Sequence, residues 1–386
     1  MKKLAIISTH PIQYNAPAFR MLAQRSHIKI KVFYTWENSK NGVFDKKFNK
    51  KIKWDIPLLE GYEYQFIKNI SSDQGTHHRK GIINPTLNAE IEAWGANAVL
   101  VYGWNFESHF KAMRYFKGKI PVLFRGDSTL MDEKPGFKTI LRRIALKFVY
   151  RYIDYALYVG THNKNYYLKH GINEKQLIYA PHTVDNERFY DSAGLFETKA
   201  TSWKKELKIN ENDLVFLFAG KFENKKDPLL LIQAAKNLNN ANYKFIFAGD
   251  GELKSEMLES AKNFSNILFL PFQNQSQMPV LYRLADVFVL PSKGPNETWG
   301  LAINEAMACG RAILGSTKVG GNIDLVENGK NGYIFEAGNL EDFIENASNF
   351  TKKNVESFGN KSLKIVENHS FIKFCSALEK LITETM

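Results

Sequence analysis

The feature that most constrains this chain is its alternation of short, almost continuously apolar runs with longer amphipathic stretches. LAIIST (4–9), KIKVFYTW (29–36), AVLVYGW (98–104), PVLFRG (121–126) and ALYVG (156–160) occur in the first half. VFLFAG (215–220), KFIFAGDG (244–251), ILFLPF (267–272), VFVLPS (287–292), AILGS (312–316) and GYIFEA (332–337) occur in the second. Runs of this kind, ended by Gly, Pro or Ser, read as parallel strands buried on both faces. The stretches 227–238, 276–285, 299–309 and 340–349 between them read as helices. Strand–helix alternation gives right-handed βαβ units and doubly wound sheets. So many strands exceed what one open sheet usually holds. The expected fold is therefore α/β, with two Rossmann-like doubly wound domains facing a central cleft.

The polar stretch 187–212 lacks strand character and marks the boundary. We expect a first domain over 1–190 and a second over 191–365, with a C-terminal helix, 366–386, packing back on the first. Within 370–385, Phe371, Phe374, Leu378, Leu381 and Ile382 share one helical face. Ligands of open α/β sheets bind beyond the carboxyl ends of the strands. The chemistry is accordingly expected in loops that follow strands.

Charge and cysteine usage narrow the class. Net charge is +12. Residues 1–190 hold 30 Lys and Arg against 16 Asp and Glu, so the whole excess lies in the first half. Such a field attracts an anionic partner. Two cysteines, Cys309 and Cys375, cannot build a disulfide framework, and no C-x-x-C pair offers a zinc site. We expect reduced thiols and a cytoplasmic protein. No run reaches the roughly 18–20 apolar residues that span a bilayer. The N-terminal MKKLAIISTHP has no small-residue cleavage site and reads as a first strand, not a signal peptide.

The segment 286–311, DVFVLPSKGPNETWGLAINEAMACGR, carries the sharpest chemistry. A strand ends at Pro291-Ser292, a Gly/Pro/Asn loop follows, and a helix is expected from near Trp299. Free N–H groups at Gly300 and Leu301 would receive a diphosphate, since a helix N-terminus offers donors and partial positive charge. Glu297 before that helix and Glu305 on it would suit a ligand with hydroxyls at both ends. Eight helical residues would separate them by roughly 12 Å, comparable to the two sugars of a nucleotide-sugar. In VFLFAGKFENKKD (215–227) a strand ends at Gly220, with Lys221 and Lys226 placed to neutralise phosphates. Gly249-x-Gly251 follows a strand, but Lys254 stands where a dinucleotide fingerprint needs its third glycine. No nicotinamide cofactor is expected. No D-x-D or H-E-x-x-H occurs, and His77-His78 reads as a surface pair, so no metal is expected either.

Taken in order, these segments resemble the retaining glycosyltransferases of family 4, the glycosyl transferases group 1, whose architecture is GT-B. GKFENKKD is similar to that family's phosphate motif, GDGEL to its strand-end G-x-G, and ETWGLAINEAMACGRAIL to its E-x7-E signature. KVGGNIDLVENGKNGYIF and PHTVDNERF (181–189) match flanking segments. The resemblance covers roughly 178–340 well and the first half only loosely. It implies transfer of a sugar from a nucleotide-sugar donor, with retention, to a glycan or lipid-linked acceptor, without a cofactor. Glu297 would orient the donor sugar, Gly300 and Leu301 would present backbone donors, and Glu305 would accept from the ribose diol. Lys221 and Lys226 would bind the diphosphate, and Phe272-Gln273 would meet the base. The family's usual Arg is Lys221 here, which loses a bidentate fork. Where the family has a cleft histidine, this chain has Arg125-Gly-Asp127-Ser, so the acceptor-side residue is Arg125 or Asp127. His10, Gln13 and Asn15 in the first loop are further acceptor-side candidates.

Two other readings fit the same architecture. A nucleotide-sugar epimerase would need no acceptor. A degenerate transferase serving as a scaffold would fit the departure at Asp127. The stretch 136–154 is an expected basic helix, with Phe137, Ile140, Leu141, Ile144 and Phe148 turned away from a row of Arg143, Lys147 and Arg151. Such a helix packs on a core with its basic face solvated, or lies on an anionic membrane. The lysine-rich 44–54 reads as a loop for the acceptor. Nucleic acid is not expected, because no recognition motif accompanies the charge. The expected location is cytoplasmic, peripheral at the inner face of a membrane.

Overall fold

The structure, a computed structural model, describes residues 1–36, 43–45, 50–52, 54–238, 240 and 242–385. Residues 46–49 and 53 of the lysine-rich stretch 44–54 lie outside the described residues. The chain divides into two units. One comprises Met1–Val43, Ile56–His182 and Phe371–Met386, and the other Phe44–Asp55 and Thr183–Ser370.

The first unit is built on β1 (Lys3–Ser8), β2 (Lys29–Tyr34), β5 (Glu63–Phe66), β6 (Ala98–Tyr102), β7 (Val122–Arg125), β8 (Tyr155–Tyr158) and β9 (Leu177–Tyr179). They form one parallel sheet in the order β5-β2-β1-β6-β7-β8-β9. β3 (Val43–Asp45) and β4 (Lys50–Ile52) make a separate two-stranded sheet. Leu4 to Ile7 are fully buried because helices cover both faces of β1. Helix Phe371–Thr385 contributes Phe371, Phe374, Cys375, Leu378, Leu381 and Ile382 to one of those cores. Arg25 fixes it further by bonding Glu379 through Nε and Nη2.

The second unit has β10 (Leu214–Lys221), β11 (Tyr243–Asp250), β12 (Ile267–Leu270), β13 (Val287–Leu290), β14 (Ala312–Ser316) and β15 (Gly332–Phe335). These also form one parallel sheet, ordered β12-β11-β10-β13-β14-β15. Both sheets reverse their winding direction beside their first strand, between β1 and β6 and between β10 and β13. At such switch points the flanking loops diverge and leave a crevice.

The boundary falls at 182/183, eight residues before the expected one. Helix Asn186–Phe189 explains the difference. Phe189 is buried, its carbonyl accepts from Arg283 Nη2 at 2.8 Å, and Asn186 Nδ2 donates to Val366 O at 3.1 Å. The segment is thus held by the second unit.

Helix Phe137–Tyr150 buries Leu146, Val149 and Tyr150. Phe137, Ile140, Leu141, Ile144 and Phe148 are exposed. The reading in which this apolar line packs on a core is therefore corrected: a different line of the helix does so. Among the described residues, no helix is long and apolar enough to cross a membrane.

Candidate active site

The residues singled out in the second half gather at the carboxyl ends of neighbouring strands. Gly220 and Lys221 close β10, Gly249 lies near the end of β11 with Gly251 just past it, Phe272 and Gln273 follow β12, and Glu297 and Gly300 follow β13. Gly220 and Lys221 pair in register with Gly249 and Asp250. A Cβ on Gly249, at φ +152, would stand 1.9 Å from Gly220 O. Only glycine allows the β10 and β11 ends to approach so closely. Phe222 N donates to Asp250 O at 2.9 Å, and Leu253 N to Phe222 O at 3.0 Å, which locks the two loops together.

The centre of the arrangement is at the β10/β13 switch point. Lys226, in a 3-10 turn after β10, places Nζ 2.5 Å from Glu297 Oε2. Ser292 Oγ donates to the same carboxylate oxygen at 3.3 Å. Glu297 is 9% exposed, so the pair is largely withdrawn from water and its attraction is weakly screened. A second tie parallels it: Lys293 N donates to Lys225 O at 2.9 Å, and Lys293 Nζ contacts Asp227 Oδ1 at 3.0 Å. The cation expected for a phosphate and the carboxylate expected for a sugar therefore meet each other directly.

The helix after this loop begins at Leu301, not near Trp299. Trp299 Nε1 donates to Asn304 Oδ1 at 2.8 Å, and Trp299 O accepts from Gly321 N at 2.8 Å. Gly300 then turns left-handed, at φ +91, where a Cβ would press on Val319 Cγ1 at 2.7 Å and Leu290 Cδ2 at 2.9 Å. Helical rise cannot therefore measure the distance from Glu297 to Glu305, because the helix starts between them. No side chain caps the helix at Gly300. Its first amides keep the capacity to bind an anion. Gly320 N donates to Glu297 O at 3.0 Å, so the Val319-Gly320-Gly321 segment braces the glutamate loop from the β14 side.

Glu305 lies within that helix, is buried, and accepts from Tyr282 Oη at 2.7 Å. Gln273 Nε2 donates to its neighbour Pro271 O at 2.9 Å, and Phe272 is half-buried beside it. Sequence reasoning did not single out Ser292, Lys293, Asp227 or Tyr282. Their roles depend on which loops adjoin, which strand order decides and local pattern does not.

A cavity of about 530 Å³ opens at the opposite end of this sheet, where Asp286 precedes β13 and Arg311 precedes β14. Its charges are already matched: Arg283 faces Asp191 and Glu197, and Lys352 holds Asp286 at 3.0 Å. The end of the 286–311 segment reaches it through Cys309 and Arg311, but none of the predicted donor-binding residues lines it. The chemistry of the site outweighs the size of this cavity.

The first unit disposes its candidates differently. Arg125 ends β7 but is buried. Its Nη1 and Nη2 donate to Ala180 O at 2.7 Å and Pro181 O at 3.0 Å, and the guanidinium lies 4.9 Å from the Phe374 ring centre. It braces the β9 end and the last helix, which corrects the expectation that it faces an acceptor. Asp127 is half-exposed, and its Oδ2 lies 3.9 Å from His182 Nε2. Burial holds the His182 imidazole below its ordinary value, against the pull of Asp127. His182 is a titratable neighbour that the sequence reading did not name. His10 follows β1, meets Thr9 Oγ1 through Nδ1 at 2.9 Å and stands edge-on to Trp36. Burial lowers its pKa to about 4, so it is neutral at pH 7. Gln13 is buried, with no hydrogen-bond partner for Oε1 among the described residues. Asn15 precedes helix Ala16–Arg25 without capping it through its side chain. His77 and His78 are exposed to differing degrees and both reach Asp73 Oδ2, at 3.1 and 3.2 Å.

The family described as glycosyl transferases group 1 matches residues 199–376, a little under half of the chain. N-acetyl-alpha-D-glucosaminyl L-malate synthase of Bacillus anthracis is 31% identical over 189 residues, covering 47% of this chain and 48% of that protein. The chain thus spans about half the length of that relative in the match. UDP-Gal:alpha-D-GlcNAc-diphosphoundecaprenol alpha-1,3-galactosyltransferase of Escherichia coli is 28% identical over 284 residues, covering 68% of this chain and 71% of that protein. The crystal structure of Anabaena HepE in complex with UDP superposes over 100% of both chains, with TM-score 0.72 and 16% identity. Two parallel-sheet α/β units matching such structures define the GT-B fold of glycosyltransferases. The match to the glycosyl transferases group 1 family thus lies almost wholly in the second unit.

Proposed function

We propose that the protein is a retaining glycosyltransferase. It moves a sugar from a UDP- or GDP-sugar to a hydroxyl of a glycan or lipid-linked acceptor, in cell-surface polysaccharide or glycolipid synthesis. The observation that carries this reading is the convergence at the β10/β13 switch point. Lys226 and Glu297 meet there beside a helix start that no side chain caps. The UDP in the Anabaena structure and the UDP-galactose in the Escherichia coli relative's name support a nucleotide-diphosphate donor.

The donor diphosphate rests on the amides at Gly300 and Leu301, with Lys221 and Lys226 supplying positive charge. Glu297 orients the donor sugar, Glu305 accepts from the ribose diol, and the loop at Phe272-Gln273 meets the base. The bond from the anomeric carbon to the diphosphate oxygen breaks, and its electron pair leaves with the diphosphate. Preorganised cations and amides stabilise the charge that develops there. The acceptor oxygen bonds to the same carbon from the same face, and its proton passes to the departing phosphate. On binding, Lys226 turns from Glu297 toward the phosphates and frees the carboxylate for the sugar. The first unit, through His10, Gln13, Asn15 and Asp127, takes the acceptor. The reaction takes place in the cytoplasm, at the inner face of an anionic membrane. The basic first half and the lipid-linked acceptor in the relative's name favour that location.

A thermal-shift screen over UDP-, GDP- and ADP-sugars tests donor binding, since a ligand that binds the folded state raises Tm. A rise with a UDP- or GDP-sugar is expected. No rise with any of them contradicts the proposal. Release of nucleoside diphosphate only in the presence of acceptor distinguishes transfer from epimerisation.

A further inference from the structure

We propose that the outward face of helix Phe137–Tyr150 is a membrane-insertion surface, which seats the first unit on a bilayer rich in anionic lipid. The inference deepens the reading of a membrane-borne acceptor and rests on it for its purpose, though not for its physics.

Five large apolar side chains of this one helix face outward: Phe137 is 72% exposed, Ile140 55%, Leu141 50%, Ile144 62% and Phe148 47%. Their spacing of three, one, three and four puts them on one stripe, an arc of roughly 100° at 3.6 residues per turn. Leu146, Val149 and Tyr150, which are buried, lie on the opposite side. The helix is therefore apolar on two opposed faces, and the core needs only one of them. Single exposed apolar residues are ordinary, but a contiguous rimmed stripe marks an interaction surface.

The rim identifies the partner. Lys138 and Arg142 border one side of the stripe. Lys147 borders the other, where Arg143 is held by Glu133 at 2.5 Å. Arg151 follows the helix, its guanidinium 4.0 Å from the centre of the Phe148 ring. None of the fourteen helical residues is acidic. Apolar side chains between cations match an anionic bilayer, where the apolar stripe enters the acyl boundary and the long basic chains reach headgroup phosphates. Self-association through the same face would oppose two rows of cations, so a second copy is the poorer occupant.

The full chain is tested by flotation with vesicles of phosphatidylcholine alone and with about a third phosphatidylglycerol. We expect flotation with the anionic vesicles, weakened by salt, and at least about tenfold less partitioning for Leu141→Glu/Ile144→Glu. A cysteine introduced at Ile144 and labelled with an environment-sensitive dye should shift to the blue on those vesicles. Because the mutated side chains are exposed, circular dichroism and Tm should match the parent. Absence of flotation at low salt overturns the proposal, as does flotation that the double substitution leaves unchanged. A dimer in sedimentation that Ile144→Glu abolishes, without vesicle binding, also overturns it. The donor-induced Tm rise separates the two readings. If it persists while flotation fails, the membrane surface alone is wrong; if it is absent while flotation and the variant's loss hold, the surface stands and the transferase reading falls.

Discussion

The two units share a fold but hold their candidate residues in contrasting ways. In the second, residues from loops after β10 and β13 bind one another: Lys226 to Glu297, Lys293 to Asp227 and to the Lys225 carbonyl. In the first, His10, Gln13 and Asn15 sit on one loop and Asp127 meets His182 on others, while Arg125 is committed to backbone carbonyls. The proposed donor and acceptor roles would account for the difference. A charged, extended diphosphate demands fixed cations and amides, and these need a scaffold of mutual contacts. An acceptor hydroxyl demands little beyond placement.

That contrast can be broken most severely at the ion pair. Lys226→Ala and Glu297→Ala should each lower the transfer rate at least about a hundredfold. Rates near the parent's, measured as nucleoside diphosphate release with acceptor present, would remove both residues from the reaction. Gly249→Ala should cost the second unit about 2 kcal/mol, because its methyl meets Gly220 O. An unchanged urea midpoint would show that the β10 and β11 ends tolerate separation.

In the first unit the sharper test is acid. His109 is buried, bonded to Thr35 Oγ1, Tyr102 O and Gly103 O, and burial lowers its pKa to about 4. The unfolded chain takes up the proton near pH 6.5, while the folded one refuses it until about 4. Stability therefore falls as pH drops through that window, by at most about 2 kcal/mol at pH 5. His109→Gln should flatten the fall, read from urea midpoints at pH 7 and 5. The smallest effect belongs to Asp127→Asn: about a tenfold drop in kcat with the donor's Kd unchanged. A weakened donor Kd would tie Asp127 to the donor instead.

How much of this was legible beforehand depends on what periodicity encodes. The eleven apolar runs all form strands, because burial on both faces leaves an unbroken hydrophobic signature. β5 (Glu-Tyr-Gln-Phe) and β9 (Leu-Ile-Tyr) escaped, since edge strands are short and half-exposed. The amphipathic spacing in Phe137–Tyr150 was visible, but periodicity cannot say which stripe turns inward. Leu146, Val149 and Tyr150 took the core and left the other stripe outside. At the site, motif spacing located Glu297, Gly300 and Lys226. Their mutual contact required the strand order, which brings β10 beside β13 from 66 or more residues away. Arg125 looked like a cleft residue because it ends a strand, yet its two bonds to carbonyls near β9 are tertiary facts with no local signal.

The central claim concerns where the phosphates lie, and a crystal soaked with UDP and, separately, GDP tests it most directly. The account predicts the diphosphate on the amides of Gly300 and Leu301, with Lys226 Nζ drawn off Glu297 onto a phosphate oxygen. A diphosphate bound elsewhere, with the Lys226–Glu297 pair intact, would contradict it.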